Sequence, residues 1–219
     1  MEDRETPFLY LELADRAAPD YARERVPAVL ALRGAQRATW WQNQKPGRSE
    51  YPRTLDEFTT LGLYEVNDEF AAPPAPRGIR AIHFRRTPRP GQGILTGKPT
   101  LGLELVLVSP RDPEGAQALR DWADFIHIRY IAAAAVEGFT MITPYENMNG
   151  GSPRFLHLYE MDTKDAEPAF QRMTPTTKER QIGRYGSPLW KQWAGHDQLV
   201  IDYVNTFARV GESATFVER

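Results

Sequence analysis

The chain has 219 residues, of which 41% are hydrophobic and 26% are charged, so it is long enough for one large globular domain or two small ones. Its formal net charge is −2 and no long block of one sign occurs, which argues against nucleic acid as a partner. It contains no cysteine, which excludes disulfides, thiolate catalysis and cysteine-bound metal.

The first half of the chain is predicted to contain one helix among four strands. Residues 20–32 have helical periodicity, with Asp20 as N-cap and Gly34 just past the end, although Pro27 should kink or restart the helix. Residues 70–78 are too rich in proline for a second helix. The predicted strands are residues 8–13, 36–43, 60–68 and 79–85.

The second half begins after a linker at residues 87–100, which holds three prolines and three glycines. Asp112 is predicted to cap a long helix at residues 114–136, whose apolar residues extend nearly all the way round. Residues 164–173 predict another helix, and residues 174–198 form an insert rich in aromatic and basic residues. The predicted strands are residues 101–108, 139–145, 154–162 and 199–207.

A short repeat relates the two halves. The pattern Leu-x-Leu-Tyr-Glu occurs at residues 61–65 and again at 156–160, 95 positions later, with Gly62 in the first copy where His157 stands in the second. Each half has the order strand, helix, strand, strand, helix (or its proline-rich remnant), strand, which is the ferredoxin-like unit. Because both faces of these strands are largely apolar, we expect both faces to be covered.

The predicted fold is therefore α+β, with two tandem ferredoxin-like units whose antiparallel sheets pack face to face as an intramolecular barrel. The first unit spans residues 1–86, residues 87–100 link the two, and the second unit spans 101–219 with its insert at 174–198. A single chain can complete such a barrel, so a monomer is expected, and the apolar helix at 114–136 leaves a homodimer as the alternative.

This pattern resembles the dimeric α+β barrel superfamily, and within it the EthD-like and related small oxygenases and cyclases, seen here as a tandem fusion. In that family the first helix carries an aromatic residue, then a histidine, then a proline, and ends in a Leu-Pro-Gly-like turn. The first unit has Tyr21, Arg25, Pro27 and the turn 32–34 at these places. Arginine stands where the family often has histidine, so the role of that histidine is not carried over.

The resemblance implies a small, mostly apolar compound bound inside the barrel. One face of the strand at 154–162 carries His157 and Tyr159, and the corresponding strand carries Gly62 and Tyr64. We expect this face to line the barrel interior and the leucines to face the helices. Imidazole and phenol groups suit proton transfer and hydrogen bonding to a phenol, enol or carbonyl, and Gly62 would leave room opposite His157. The alternative is that these residues are hydrogen-bonded core.

Two residues of the long helix and two of the insert are further candidates. Arg129 would hold an anionic oxygen, or else lie at the helix edge with its head group in water. His127 follows Asp124 by three positions, which predicts an ion pair between them or an oriented base. Trp193 and His196 would lie near the cavity mouth, where the insert acts either as a lid or as a plug.

No metal or cofactor site is evident from the spacing of polar residues. The four histidines lack metal-ligand spacing, and no phosphate loop or nucleophile elbow occurs. Haem stays an alternative, because chlorite dismutases and aldoxime dehydratases, which this tandem arrangement also resembles, bind it through one histidine.

The predicted function is a cofactor-independent isomerase, cyclase, lyase or oxygenase that acts by proton transfer on a small hydrophobic carbonyl, phenolic or polyketide-like compound. The alternative is a small-molecule-binding or stress-associated barrel protein without turnover. The first residues are acidic, and the longest apolar run, residues 131–136, is far short of the roughly 20 that a membrane span needs. We therefore expect a cytoplasmic protein with no membrane partner.

Overall fold

The computed structural model describes residues 6–215, which form one antiparallel sheet with helices on its outer surface. Around this sheet the order β2-β3-β1-β4-β7-β8-β6-β9 returns to β2, because the last residues of β9 pair with the last residues of β2. Eight strands of the described chain thus close a barrel, and two short strands pair with β7 and β2 outside this order. The strands are β1 (Phe8–Ala14), β2 (Ala35–Asn43), β3 (Thr60–Val66), β4 (Ile79–Arg86), β5 (Gln92–Gly93), β6 (Gly102–Pro110), β7 (Phe139–Asn147), β8 (Phe155–Met161), β9 (Leu199–Arg209) and β10 (Ala214–Thr215).

The barrel consists of two four-stranded halves with the same internal order. In each half the first and third strands are central and the second and fourth are at the edges, as in a ferredoxin-like unit. The halves meet where β4 pairs with β7 and where β9 pairs with β2. This confirms the predicted α+β fold, two ferredoxin-like units whose sheets face each other within one chain. Residues 1–5 of the expected first unit and 216–219 of the second lie outside the described residues.

The helices lie on the outside of the barrel. The predicted long helix at 114–136 contains a π-helical turn, Ala123–His127, which separates α2 from α3. In the first unit α1 continues through Pro27, and Asp20 lies in its first turn instead of capping it. Within residues 6–215, no helix is long and apolar enough to cross a lipid bilayer. The helices are α1 (Ala18–Leu30), α2 (Ala116–Trp122), α3 (Ile128–Ala133), α4 (Ala166–Thr177) and α5 (Pro188–Ala194).

The barrel interior is filled by leucines, which corrects the predicted orientation of the strands. Successive side chains of a strand point to opposite faces, so the leucines of each strand share one face. These leucines meet those of the facing sheet, and aromatic side chains, among them Trp41, Tyr203 and Phe207, pack with them. A closed interior of this size is filled by side chains. Branched aliphatic side chains suit it because they carry no polar group that would be buried without a hydrogen bond. The interior leucines are Leu9, Leu11, Leu13, Leu61, Leu63, Leu103, Leu105, Leu107, Leu156 and Leu158.

His157, Tyr159 and Tyr64 therefore point outward, toward the helices, and not into the barrel. Tyr159 packs with α3 and α4, and Tyr64 packs with α1. The expectation that this face lines the interior is wrong, because the leucines of the two units pack against each other inside the barrel. A polar group on the outer face can meet partners from the helices.

Gly62 makes room for a side chain of its own unit and not for His157. A Cβ atom on Gly62 would lie 1.8 Å from the Tyr21 hydroxyl oxygen. That hydroxyl lies 2.7 Å from the Tyr64 hydroxyl and donates to Glu12 at 2.8 Å. Arg25 donates to both oxygens of the fully buried Glu12 carboxylate, at 2.5 and 3.1 Å. Tyr21 thus fills the space between sheet and helix in the first unit.

Replacing Gly62 by alanine should destabilise the protein by about 1–3 kcal/mol, because the new methyl group displaces a hydrogen-bonded ring that cannot move freely. Urea unfolding of Gly62→Ala measures the loss. Gly151→Ala is the matched control, since no atom lies within 4 Å of the position of its Cβ. Equal unfolding midpoints for the two variants would show that Tyr21 does not constrain this position.

Candidate functional site

A cavity of about 240 Å³ lies between the outer sheet face of the second unit and the helices that cover it. Its floor is formed by β6, β8 and β9, and its roof by α2, the π-helical turn, α4 and α5. Most of the wall is apolar or aromatic, and a few polar groups interrupt it, which is the usual composition of a ligand site. The lining residues are Tyr51, Glu104, Val106, Val108, Leu119, Trp122, Ala123, His127, His157, Tyr159, Met173, Thr174, Trp190, Trp193, Ala194, Leu199, Ile201 and Val204.

Three polar side chains of the cavity floor are ordered by the register of β6 and β8. Glu104 pairs with Tyr159, and Val106 pairs with His157. Glu104 and His157 are therefore diagonal neighbours, with Cβ atoms roughly 7–8 Å apart or somewhat less. This spacing leaves room for a small molecule to contact both groups.

Glu104 is a buried carboxyl group whose Oε2 has no hydrogen-bond partner among residues 6–215. Burial raises its pKa from 4.5 to about 8, opposed by the Arg48 guanidinium and assisted by the Glu167 carboxylate. At pH 7 the group is therefore mainly a neutral carboxylic acid. A buried acid in this state can donate a hydrogen bond into the cavity.

His157 is a buried imidazole with a carboxylate behind it. Its Nε2 lies 3.8 Å from Oδ1 of Asp124, which is also buried. Burial lowers the pKa of His157 to about 3, and His127 acts in the same direction. The Asp124 carboxylate would favour the protonated form, so an imidazolium that formed during a reaction would have a partner.

Asp124 pairs with an arginine of the linker. Arg89 of the linker lies 3.4 Å from its Oδ2 and also pairs with Asp121. Burial raises the pKa of Asp124 to about 6, and Arg89 and Arg120 oppose this rise. The predicted Asp124–His127 pair is wrong, because the π-helical turn changes the residue spacing and places the two side chains against different partners.

His127 and Trp193 form a reciprocal pair that attaches the insert to the π-helical turn. Nδ1 of His127 lies 2.9 Å from the Trp193 carbonyl oxygen, which can only accept, so Nδ1 carries the proton. The Trp193 indole donates to the His127 carbonyl at 3.1 Å, and the two rings stack at 5.2 Å. Burial lowers the pKa of His127, and this imidazole is neutral at pH 7.

The insert roofs the cavity without filling it. Its first residues continue α4 to Thr177, and α5 then crosses the cavity with Trp190 and Trp193 in its wall. The Trp122 indole donates to the Gln192 carbonyl of α5 at 2.7 Å. Together with the His127–Trp193 pair, this bond fixes α5 on the helix that carries Asp124.

Of the candidate residues predicted from the sequence, the cavity brings together His127, His157, Tyr159 and Trp193, and it leaves out Arg129, His196, Tyr64 and Gly62. Arg129 is exposed, because its neighbours Ile128 and Ile131 take the side of α3 that faces the sheet. His196 lies beyond α5, with its ring 5.7 Å from the Trp122 ring, and is outside the lining. Tyr64 and Gly62 lie in the first unit beside Tyr21.

The site residues predicted from the sequence did not include Glu104, Tyr51, Trp122 and Trp190, which all line the cavity. Glu104 had a detectable signal, since it is the one charged residue in the apolar run 101–108. Tyr51 had none, because its loop reaches the cavity from the other unit.

No family model matches the chain, and no curated protein matches its sequence. Solved structures do resemble it. An anthrone oxidase-like protein aligns over 100% of this chain and 97% of its own, with a TM-score of 0.59 at 15% identity. The likeness is one of fold.

Two more structures share the fold at lower similarity. A candidate monooxygenase from Fusobacterium nucleatum subsp. nucleatum aligns over 97% of this chain and 93% of its own, with a TM-score of 0.52 at 7% identity. A mutant chlorite dismutase from Candidatus Nitrospira defluvii aligns over 95% and 93%, with a TM-score of 0.50 at 7% identity. The chain therefore has the ferredoxin-like α+β barrel fold along nearly its whole length.

Replacing Glu104 by glutamine should change how stability depends on pH. The unfolded state loses the Glu104 proton near pH 4.5, whereas the folded state keeps it to about pH 8. Because of this difference, the free energy of unfolding of the wild-type protein should fall by a few kcal/mol as pH rises from about 4.5 to about 8. Glutamine does not titrate, so the free energy of unfolding of Glu104→Gln relative to wild type should rise from pH 5 to pH 8 and then level off.

Urea unfolding at pH 5, 6.5 and 8.5 measures this difference. Glu114→Gln is the matched control, because Glu114 is exposed and its difference from wild type should stay constant. A constant difference for Glu104→Gln as well would contradict the raised pKa.

Proposed function

We propose that the chain is an enzyme that transfers protons on a small hydrophobic carbonyl or phenolic compound bound in this cavity, without a cofactor. The observation that carries the proposal is the neutral buried acid, Glu104, placed diagonally from the His157–Asp124 pair in an aromatic cavity. Groups with such different acidities in one site are typical of acid and base partners. All of these residues belong to one chain, so the proposed site needs no second copy.

Glu104 would bind the carbonyl or phenolic oxygen. Its protonated carboxyl group donates a hydrogen bond, and this bond strengthens as negative charge develops on the oxygen. Tyr159, opposite Glu104 in the ladder, keeps its proton because burial raises its pKa well above the usual value. Its hydroxyl would orient the same oxygen.

His157 would take the proton from a carbon atom that is conjugated with the carbonyl group, directly or through an aromatic ring. It is neutral at pH 7 and so has a lone pair to accept the proton. A base with a low pKa is weak in the free protein, but the Asp124 carboxylate stabilises the imidazolium as it forms. The negative charge then lies on the substrate oxygen beside Glu104.

The resulting enolate can follow two routes, one without dioxygen and one with it. Return of the proton to another carbon gives an isomerase or cyclase, and loss of a leaving group gives a lyase. Reaction with dioxygen converts a methylene group to a carbonyl group and releases one water, so that R₂CH₂ and O₂ give R₂CO and H₂O. The fold neighbour named anthrone oxidase-like supports the second route, since anthrone carries such a methylene group between two aromatic rings.

Binding without turnover is the second candidate. Trp122, Trp190 and Trp193 present three indole rings to the cavity, which suits aromatic ligands whether or not chemistry follows. Haem does not fit the cavity as it is closed in this structure. About 240 Å³ is below the roughly 300–1,000 Å³ that drug-sized ligands occupy, and haem is a large ligand.

The test uses anthrone, and the first readout is exchange of its methylene protons in D₂O, followed by NMR. We expect the protein to accelerate the exchange, and His157→Gln to slow it about a hundredfold or more, because glutamine keeps a hydrogen-bonding side chain and cannot take the proton. His83→Gln in the first unit is the matched control. Saturable binding of anthrone with no accelerated exchange would establish the binding candidate instead.

Oxygen uptake in the same samples separates the two enzymatic routes. Formation of anthraquinone with one O₂ consumed per molecule indicates oxidation, and exchange without uptake indicates isomerisation chemistry.

The rate of exchange should depend on pH through Glu104. Protonated Glu104 and ionised Asp124 are the active forms, so kcat/KM should rise as pH rises through about 6, where Asp124 ionises, and should fall as pH rises through about 8. Glu104→Gln should keep part of the activity and lose this fall, since the amide donates a hydrogen bond and does not titrate. A fall that persists in Glu104→Gln would assign it to another group.

A further inference from the structure

One aromatic residue of the cavity wall comes from the first unit. Tyr51 belongs to the loop 44–59 between β2 and β3, yet it lines the cavity of the second unit. Its ring meets Phe170 of α4 edge-on, with centroids 6.2 Å apart and an interplanar angle of 72°. The loop therefore crosses the seam between β2 and β9 and reaches the helical layer beyond it.

The loop is anchored to the second unit on both sides of Tyr51. Before it, the buried Arg48 pairs with Glu167 of α4, and its guanidinium lies 4.4 Å from the Phe170 ring. After it, Thr54 donates to Asp202 of β9 twice, from its hydroxyl at 2.5 Å and from its backbone N–H at 3.0 Å. The Tyr51 side chain is thus placed by contacts that belong to the second unit.

The second unit has no comparable loop within the described residues. Its β7 and β8 are joined by the short turn at residues 148–154, which does not approach the space beside Tyr21 in the first unit. The long loop therefore belongs to the first unit and contributes a residue to the cavity wall of the second unit.

We propose that Tyr51 determines ligand specificity at this cavity, with its ring packing on an aromatic ligand and its hydroxyl donating a hydrogen bond to a ligand oxygen beside Glu104. The inference rests on the proposed function and names the ligand class more narrowly, as a neutral fused aromatic compound that carries an oxygen. Burial raises the pKa of Tyr51, and Glu104 is the next contributor to this rise. The phenol therefore keeps its proton and lies near the acid.

The test measures binding of 2-naphthol and of naphthalene to the full chain by equilibrium dialysis. Tyr51→Ala should raise the Kd for both compounds about tenfold, because it removes a ring contact. Tyr51→Phe should raise the Kd for 2-naphthol about threefold and leave that for naphthalene unchanged, because only the hydrogen bond is lost. Ser49→Ala is the matched control, since this exposed residue of the same loop does not line the cavity.

Circular dichroism and urea unfolding establish that each variant is folded, and Tyr51→Leu replaces the alanine variant if the latter is not. Wild-type affinity for 2-naphthol in Tyr51→Ala or Tyr51→Leu would overturn the role of Tyr51 and leave the proposed function in place. Failure of the wild-type protein to bind 2-naphthol would instead overturn the aromatic ligand class, and the role of Tyr51 with it.

Discussion

Closure of the barrel places every second strand side chain in a buried interior, and the leucines of both units fill it. Side chains at the alternate positions of the same strands lie on the outer face, where helices cover them. Glu12, Glu104 and His157 are all in this position. The described cavity therefore lies between sheet and helix, and the leucines of the barrel interior do not contribute to its lining.

The two units share a topology and differ in what fills the space under their helices. In the first unit Tyr21 occupies this space and joins Tyr64 to Glu12 by hydrogen bonds. In the second unit the helix is interrupted by a π-helical turn, and the roof is supplied by α5 from the insert. A cavity remains because α5 crosses above the floor and is held by indole hydrogen bonds at its edge.

The cavity contains titratable groups and yet carries little charge at neutral pH. Burial raises the pKa of Glu104 and lowers those of His127 and His157, so each group favours its neutral form. The charged residues stay at the edge, where Arg89 of the linker pairs with Asp124. A neutral ligand could therefore bind without removing water from charged groups of the cavity wall. A charge that formed during the reaction would meet a partner already in place.

The sequence by itself determined the architecture. The repeat of Leu-x-Leu-Tyr-Glu, the order of strands and helices and the proline-rich segment at 70–78 indicated two ferredoxin-like units and a closed barrel. The sequence also indicated His157, Tyr159 and Trp193. It could not decide which strand face is interior, because a period of two is the same on both faces and both were apolar. Only the tertiary structure joined Asp124 to His157 and brought Tyr51 to the cavity, since these contacts depend on how distant segments pack and not on any local pattern.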